Sequence, residues 1–549
     1  MNCQPEREQT RASAVLAAGT LVSRLLGLGR DLLLAFLLGP AADAFLVAFR
    51  LPNVFRRLLA EGSLGMAYGA AVTRLTAEHG PAAGAGFVRS VSLRLFLFAL
   101  PATALLALFA GPITYALAPG LPPETRAHSV HLLRLCLLYL PLCLISAVAC
   151  AHAASSGEYR PQAWASALFN VLVILSGTAA CLLFSGAGRT VDTNTAEYAL
   201  CAGVVCGGVA QACLGLRLAA PHGWKAAFPE DKDCNLWALI WRAVSVVPAG
   251  TGRLLRSLPA SALGAAPHQL QILAGAILAS LLFPGGISAL YFAERLVELP
   301  LGLFGAAVGL AALPRLAALA AGRDFETFSR NLGSSISFGA FLSLPAGAGL
   351  FVLARPLADL LFGHGAYDDV FVDAIAAVVR GYALGLPALC ASRPLLAAVN
   401  ALERGPSAVR GALLSLAPLT AVSLAGMLLF GRQSHEAALC LGLGLCAGAW
   451  SNAWLLFRCL KDAGIASPLS HTRSSLISYA AAALLMGATL LVLDSQTGSL
   501  GVVSLSVLVC VCVLLWCGGF LALKSRDART LLDMVREFWA GTEKSSRKP

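Results

Sequence analysis

Long apolar runs follow one another almost without interruption through this chain of 549 residues. Backbone polar groups that leave water must bond among themselves, and within one segment only a helix lets them do so. A hydrocarbon layer about 30 Å thick takes about 20 helical residues to cross. Runs of that length are readable at 12–38, 43–70, 88–117, 129–154, 163–185, 196–219, 258–283, 286–319, 334–361, 372–400, 408–430, 436–460, 474–493 and 500–523. The expected fold is an all-α polytopic membrane protein with about 14 transmembrane helices. Composition agrees, with 58% hydrophobic and 13% charged residues. A membrane β-barrel would show short alternating segments instead.

The formal net charge of +11 would suggest nucleic acid in a soluble protein. Here the charges fall between the apolar runs, so no nucleic-acid partner is expected and topology explains them better. With the N-terminus inside, cytoplasmic segments hold Arg74, Arg160, Lys225, Arg315, Arg404, Lys461 and Lys524 among others, and the opposite loops hold few basic residues beyond Arg126, Arg189, Arg355 and Arg432. That asymmetry predicts an even number of spans with both termini cytoplasmic. The first run is too long for a signal-peptide core and contains Arg24 and Arg30, so no cleavable leader is expected. Most of the 16 cysteines sit inside apolar runs, without a CxxC pair or a Cys/His cluster of zinc spacing. They read as small apolar residues, and neither a metal nor a cofactor is expected.

The chain echoes itself. Arg134-x4-Tyr139-Leu140-Pro141 returns as Arg380-x-Tyr382-x4-Pro387, Ala110-Gly111-Pro112 as Ala354-Arg355-Pro356, Glu158-x2-Pro161 as Glu403-x2-Pro406, and Arg74-Leu75 as Arg315-Leu316, at offsets of 241 to 246. Two parallel six-helix repeats follow, with a central site between halves of the same orientation. The expected plan is an N-terminal half at 1–219, a linker at 220–257, a second half at 258–460, two additional transmembrane helices at 461–523 and a basic cytoplasmic tail at 524–549. Trp224, Trp237 and Trp241 among basic residues suit a linker helix lying on the membrane surface, although an ordinary loop reads equally well.

Ser23 to Glu61 breaks the apolar pattern with Arg24, Arg30, Asp31, Asp43, Arg50, Arg56, Arg57 and Glu61. Each charge at bilayer depth costs about 2.5–3.5 kcal/mol on insertion scales, so it must face protein or water. Arg24 and Asp31 share a helix face, and Arg57 and Glu61 are four apart. Arg30 and Arg56 have no acidic partner at helical spacing, which points to an anionic ligand; guanidinium groups bind phosphate oxygens in pairs. Snorkelling to the interface is the alternative, above all for Arg24, Arg50 and Arg57. Pro52 allows a bend in the second span.

A second charged group opens the eighth span: Tyr291-Phe292-Ala293-Glu294-Arg295-Leu296-Val297-Glu298-Leu299-Pro300. Either Arg295 faces a cavity or it pairs with Glu298 three residues on and needs no ligand.

Both segments resemble the MurJ/MviN family of lipid II flippases, within the multidrug/oligosaccharidyl-lipid/polysaccharide exporter superfamily. The first carries the resemblance in Ser23-Arg24-Leu25-Leu26-Gly27, Arg30-Asp31, Asp43-Ala44-Phe45, Leu51-Pro52-Asn53, Arg56-Arg57 and Ala60-Glu61-Gly62; the second carries it in the acidic-Arg-x-x-Glu-x-Pro pattern from Glu294. The resemblance implies a transporter and not an enzyme: a flippase that moves lipid II from the cytoplasmic to the outer leaflet by alternating access. It implies that Arg30, Arg56 and Arg295 hold the diphosphate, with Arg24 and Asp31 beside them. Ser23, Asp43, Arg57, Glu61, Ser288, Glu294 and Glu298 match cavity or gating positions. It further implies a bacterial cytoplasmic (inner) membrane location, contact with membrane lipids and possible cell-wall synthesis proteins as partners, and two last helices forming a groove for a polyprenyl tail. One departure concerns metal: family members with a sodium site carry an acid in the seventh helix, where Gln269, Gln271 and Gly275 stand here. Alternatives are an exporter of another lipid-linked glycan or of drugs, and a membrane glycosyltransferase whose acids would be Asp359, Asp368 and Asp369.

Overall fold

The computed structural model describes residues 3–58, 64–184, 192–219, 269–364, 368–465, 467–470, 472–497, 502–522 and 525–532. Among them every regular element is helical. Eight stretches are long and apolar enough to cross a hydrocarbon layer, or up to ten if each of two bent helix pairs is one span. The expected linker at 220–257 lies outside the described residues, as do all but the first part of the tail. The chain forms two compact units, one built on Met1–Ser288 and the other on Ala289–His364 and Asp368–Pro549.

The first unit begins with α1 (Cys3–Leu38), a short 3-10 turn (Gly39–Ala42) and α2 (Asp43–Leu58). The break is local in origin. A residue before proline is pushed out of the helical region, and Gly39, before Pro40, takes a positive φ of 53° that a side chain would resist. The second helix runs through Pro52. Next come α3 (Leu64–His79), α4 (Pro81–Leu108), α5 (Ala110–Leu117), α6 (Pro123–Leu137), α7 (Tyr139–Ser155), α8 (Arg160–Phe184) and α9 (Thr193–Ala219), then the short α10 (Gln269–Ser280). Helix α8 packs between α1 and α9, and α7 packs on α9. Gln211 on α9 ties three helices together. It accepts from Tyr139 Oη at 3.0 Å through its side-chain oxygen, donates to the Ala165 carbonyl at 2.8 Å, and its own carbonyl accepts from Ser146 Oγ at 3.3 Å. In hydrocarbon an amide has no water to return to, so these bonds fix the register of the bundle.

The second unit holds most of α11 (Gly286–Ala321), then α12 (Phe325–Val352), α13 (Ala354–Phe362), α14 (Asp369–Ala383), α15 (Leu386–Ala401), α16 (Gly405–Phe430), α17 (His435–Lys461), α18 (Arg473–Thr497) and α19 (Val502–Ala522). Three of these starts are capped as their sequences suggest: Asp324 accepts from the Thr327 N–H, Asp368 from Phe371 and Ser434 from Ala437. The bonds from Thr327 hold the Asp324 carboxyl below the usual carboxylate range. Helices α14 and α17 meet through glycine. A Cβ on Gly381 would lie 2.5 Å from the Leu443 nitrogen, and one on Gly442 would strike the Val378 carbonyl.

The last two helices are fastened by a buried carboxylate beyond α19. Asp527 Oδ2 accepts from Ser337 Oγ of α12 at 2.6 Å and from Tyr479 Oη of α18 at 2.9 Å. Around it Phe341, Tyr479, Trp516 and Phe520 form ring contacts with centroids 4.9 to 6.4 Å apart.

The repeat read from the sequence has a backbone counterpart. The α4–α5 break falls at Phe109 (φ −89°, ψ 15°) and the α12–α13 break at Leu353 (φ −87°, ψ 15°). The α6–α7 break falls at Leu138 (φ −60°, ψ −21°) and the α14–α15 break begins at Leu384 (φ −64°, ψ −20°). Gly157 and Glu403 both take positive φ, 84° and 57°. All three pairs are separated by the offsets seen in the motifs.

Replacing Gly381 by valine should force α14 and α17 apart and cost about 1–3 kcal/mol. Thermal unfolding of the purified chain in detergent should show a clear drop in Tm. Gly518, with nothing within 4 Å of its would-be Cβ, should accept alanine without loss.

Candidate functional site

In the first unit the charged stretch folds into a polar seam along α1, α2 and α8. Asp31 is buried, and its Oδ1 accepts from Arg30 Nε at 3.0 Å and Nη2 at 2.7 Å. Arg30 also donates through Nη1 to Asn170 Oδ1 at 3.1 Å and lies over the Phe49 ring, 5.9 Å from its centroid. Asn170 completes the link by donating to the Ser23 carbonyl at 2.9 Å. The partner of Arg30 is thus its immediate neighbour in sequence and not a residue one turn away. Helical spacing of three or four is the rule for side chains on one face; a long guanidinium folding back over the adjacent carboxylate escapes it. Arg56 donates to Asn53 Oδ1 through Nε at 3.3 Å and Nη2 at 3.1 Å. Arg24 is half-buried on α1. Arg50 does not snorkel: it is buried and donates to the Ile272 carbonyl of α10 at 3.2 Å. The side chain of Arg57 and the whole of Glu61 lie outside the described residues.

Asp43 and Ser288, 245 positions apart, are brought into direct contact. Asp43 is 4% exposed. Its Oδ1 accepts from the Ser288 N–H at 2.8 Å and from Ser288 Oγ at 2.6 Å, and its Oδ2 accepts from the Gly285 N–H at 2.9 Å. A helix start leaves backbone N–H groups without partners and carries partial positive charge. Within the first unit Asp43 therefore caps the Gly285–Ser288 turn, and that cap offsets the cost of its own burial.

In the second unit Arg295 Nη1 donates to Glu298 Oε2 at 2.7 Å, and its guanidinium lies 4.6 Å from the centroid of Tyr291. The ion pair considered from spacing is present. Glu294 is buried on the same helix, and the buried Tyr382 of α14 lies near enough to feel the charge of both glutamates. Each of the three arginines singled out in the sequence thus has a polar partner within its own unit. A guanidinium carries five N–H donors in a fixed fork, enough to hold a carboxylate or amide and a phosphate oxygen together.

Asn170 is an addition that the sequence reading does not supply, and Asn53 and Tyr291 stand in the quoted motifs without a role of their own. Asn170 carries a signal all the same: it is an amide within the apolar run 163–185. Asn53 stands three residues before Arg56, at a spacing where only an acid would be looked for.

The model for the family described as "Lipid II flippase MurJ" matches residues 34–511, nearly the whole of this chain. The chain belongs to the MurJ family. A "Lipid II flippase MurJ" of Burkholderia cenocepacia is 27% identical over 485 residues, covering 87% of this chain and 88% of its own. A "Probable lipid II flippase MurJ" of Rhizobium meliloti is 30% identical over 380 residues, covering 68% and 67%. Among solved structures, a MurJ lipid II flippase in an inward closed conformation superposes with a TM-score of 0.70 at 18% identity, covering 94% of this chain and 99% of that one. An inward-facing multidrug resistance MATE transporter gives 0.61 at 15% identity, covering 89% and 100%. The fold is shared with these transporters, and the chain is an integral membrane protein of a transport family, not an enzyme family. Two of the three acids considered for a glycosyltransferase serve structure in this MurJ homologue: Asp368 caps α14, and Asp369 pairs with Arg355 at 3.0 Å.

Asp43→Asn should keep the shape of the Gly285–Ser288 cap and lose its charge, destabilising the chain by about 1–3 kcal/mol. Asp43→Ala should cost more. Thermal unfolding of the two variants beside the parent in one detergent checks the order.

Proposed function

We propose that this MurJ homologue moves lipid II, the undecaprenyl-diphosphate-linked disaccharide-pentapeptide, from the cytoplasmic to the outer leaflet of the bacterial cytoplasmic membrane. The observation that carries this reading is the match of the lipid II flippase model across residues 34–511 to a chain whose apolar helices hold Arg30, Arg56 and Arg295. The barrier for such a lipid is its head, because a diphosphate and two sugars must cross hydrocarbon. Guanidinium groups of Arg30, Arg56 and Arg295, with Arg24 and Asp31 beside them, replace water around the phosphates while the polyprenyl tail stays in lipid. Alternating access then moves the head without any covalent step. A potential negative inside favours outward movement of an anion by about 2.3 kcal/mol per charge per 100 mV. Ser23, Asp43, Arg57, Glu61, Ser288, Glu294 and Glu298 serve as cavity or gating residues. Fourteen spans in two six-helix halves plus two helices, both termini cytoplasmic and contact with cell-wall synthesis proteins complete the proposal.

Depletion of the protein in its host should empty the outer leaflet of lipid II while the inner leaflet accumulates it. An unchanged outer pool defeats the proposal. Arg30→Ala, Arg56→Ala and Arg295→Ala should each weaken binding of purified lipid II by about 1.5–3 kcal/mol, roughly tenfold to a hundredfold. Wild-type binding and growth in all three variants would remove the diphosphate from these residues.

A further inference from the structure

One buried ionisable pair stands apart from the arginine seam. His128 of α6 and Glu197 of α9 meet at 2.6 Å between Nε2 and Oε2, with the imidazole side chain 23% exposed and the carboxylate side chain 2% exposed. The other oxygen, Oε1, makes no hydrogen bond among the described residues. Ionisable groups at such depth are costly and belong to ion paths or relays more often than to packing. Among the described residues no third His, Cys, Asp or Glu joins the pair to make a metal site. Histidine is the side chain whose charge changes near neutral pH.

The surroundings connect the pair to α2. The backbone N–H of Phe45, two residues into α2, faces the Glu197 carboxylate. Ser129, next to His128, donates from Oγ to the Ala44 carbonyl at 3.0 Å. The charged and titratable groups nearby are otherwise engaged or on the same helices. Asp192 stands at the head of α9 and acts on Glu197 through space. Cys201 and Cys136 meet each other one turn further in, at 3.4 Å. Tyr198 packs its ring edge-on against His128. Arg126 donates through Nη2 to the Pro119 and Leu121 carbonyls, the exposed Glu124 and His131 share α6 with His128, and Asp43 is held by Gly285 and Ser288. Among the described residues His128 is the one cation paired with Glu197.

We propose that His128 and Glu197 form a proton-binding site of the first unit that controls the grip on α2. With the imidazole neutral and its Nε2–H donating to Glu197, the pair carries one negative charge, and the carboxylate attracts the positive start of α2. The partly exposed ring takes one proton from water to become imidazolium. The pair is then neutral overall, its attraction for the α2 start falls, and no other bond changes. Because α2 carries Arg50, Asn53 and Arg56, the proton acts on the arginine seam through the helix that holds it. On the topology proposed above this end faces outside, so the link to transport rests on the flippase reading; the proton site itself does not.

Two measurements separate these claims. Thermal unfolding of the full chain in detergent, taken from about pH 5 to pH 8 where histidine changes charge, should show a pH-dependent component that is lost in Glu197→Gln, His128→Gln and the double variant alike. His128→Gln keeps an N–H donor for the carboxylate and guards against simple misfolding. Single variants that follow the parent curve in parallel overturn the site. In proteoliposomes carrying lipid II, the parent's flipping rate should vary with outside pH and that of Glu197→Gln should not; a variant that keeps the parent's pH profile overturns the control of α2. Absence of flipping by the parent at every pH would defeat the flippase reading instead, and the unfolding curves would still decide the proton site.

Discussion

A charge that leaves water must bring its own partner, and the polar architecture of this chain follows from that rule. Asp31 has Arg30, Asp43 has the Gly285–Ser288 turn, Arg50 has a backbone carbonyl of α10, and Arg295 has Glu298. Two of these solutions join segments far apart in sequence, 222 residues for Arg50 and Ile272 and 245 for Asp43 and Ser288. Apolar helix faces in lipid can slide and rotate at little cost, because lipid tails are as apolar as leucine. Polar contacts with one acceptable partner cannot. The residues that read as functional are therefore also those that fix helix register, and a substitution at Asp43 or Arg30 reports on both roles at once.

The apolar runs make the helical membrane fold legible, and the recurring motifs make the repeat legible, down to the breaks at Phe109 and Leu353. Both signals are periodic, and periodic signals survive without coordinates. The site is legible in residue identity more than in pairing. Arg30, Asp31, Asp43, Ser288 and Arg295 all stand out in the sequence, but the bond from Asp43 to Ser288 joins residues 245 positions apart and no spacing rule reaches it. Arg30 reads as lacking an acid when only positions three and four away are considered, and its acid is the next residue. Arg50, an arginine for which snorkelling is an open alternative in the sequence, turns inward because a carbonyl of α10 is in reach, and α10 is too short to stand out.

Amides are the blind spot. Asn170, Asn53 and Gln211 carry no charge, so a search for charges within apolar runs passes over them. In the fold each one accepts or donates a bond that orders the helices or side chains around it. The reason is physical: in hydrocarbon an isolated amide needs a partner no less than an isolated carboxylate does, and it offers both a donor and an acceptor.

The carboxylate of Asp527 has a bearing on how the molecule survives in a cell. It lies five residues past Ala522, where α19 ends, yet it is the acceptor for two hydroxyls on α12 and α18. Ala528 and Leu531, just beyond it, belong to the same packed cluster as the rings around it. Loss of the carboxylate would take the acceptor from Ser337 Oγ of α12, while Tyr479 Oη of α18 would keep its contact with Ser525 Oγ at 2.9 Å. A cut within 525–527 would therefore undo packing and a hydrogen bond together, the kind of local damage that marks a membrane protein for disposal.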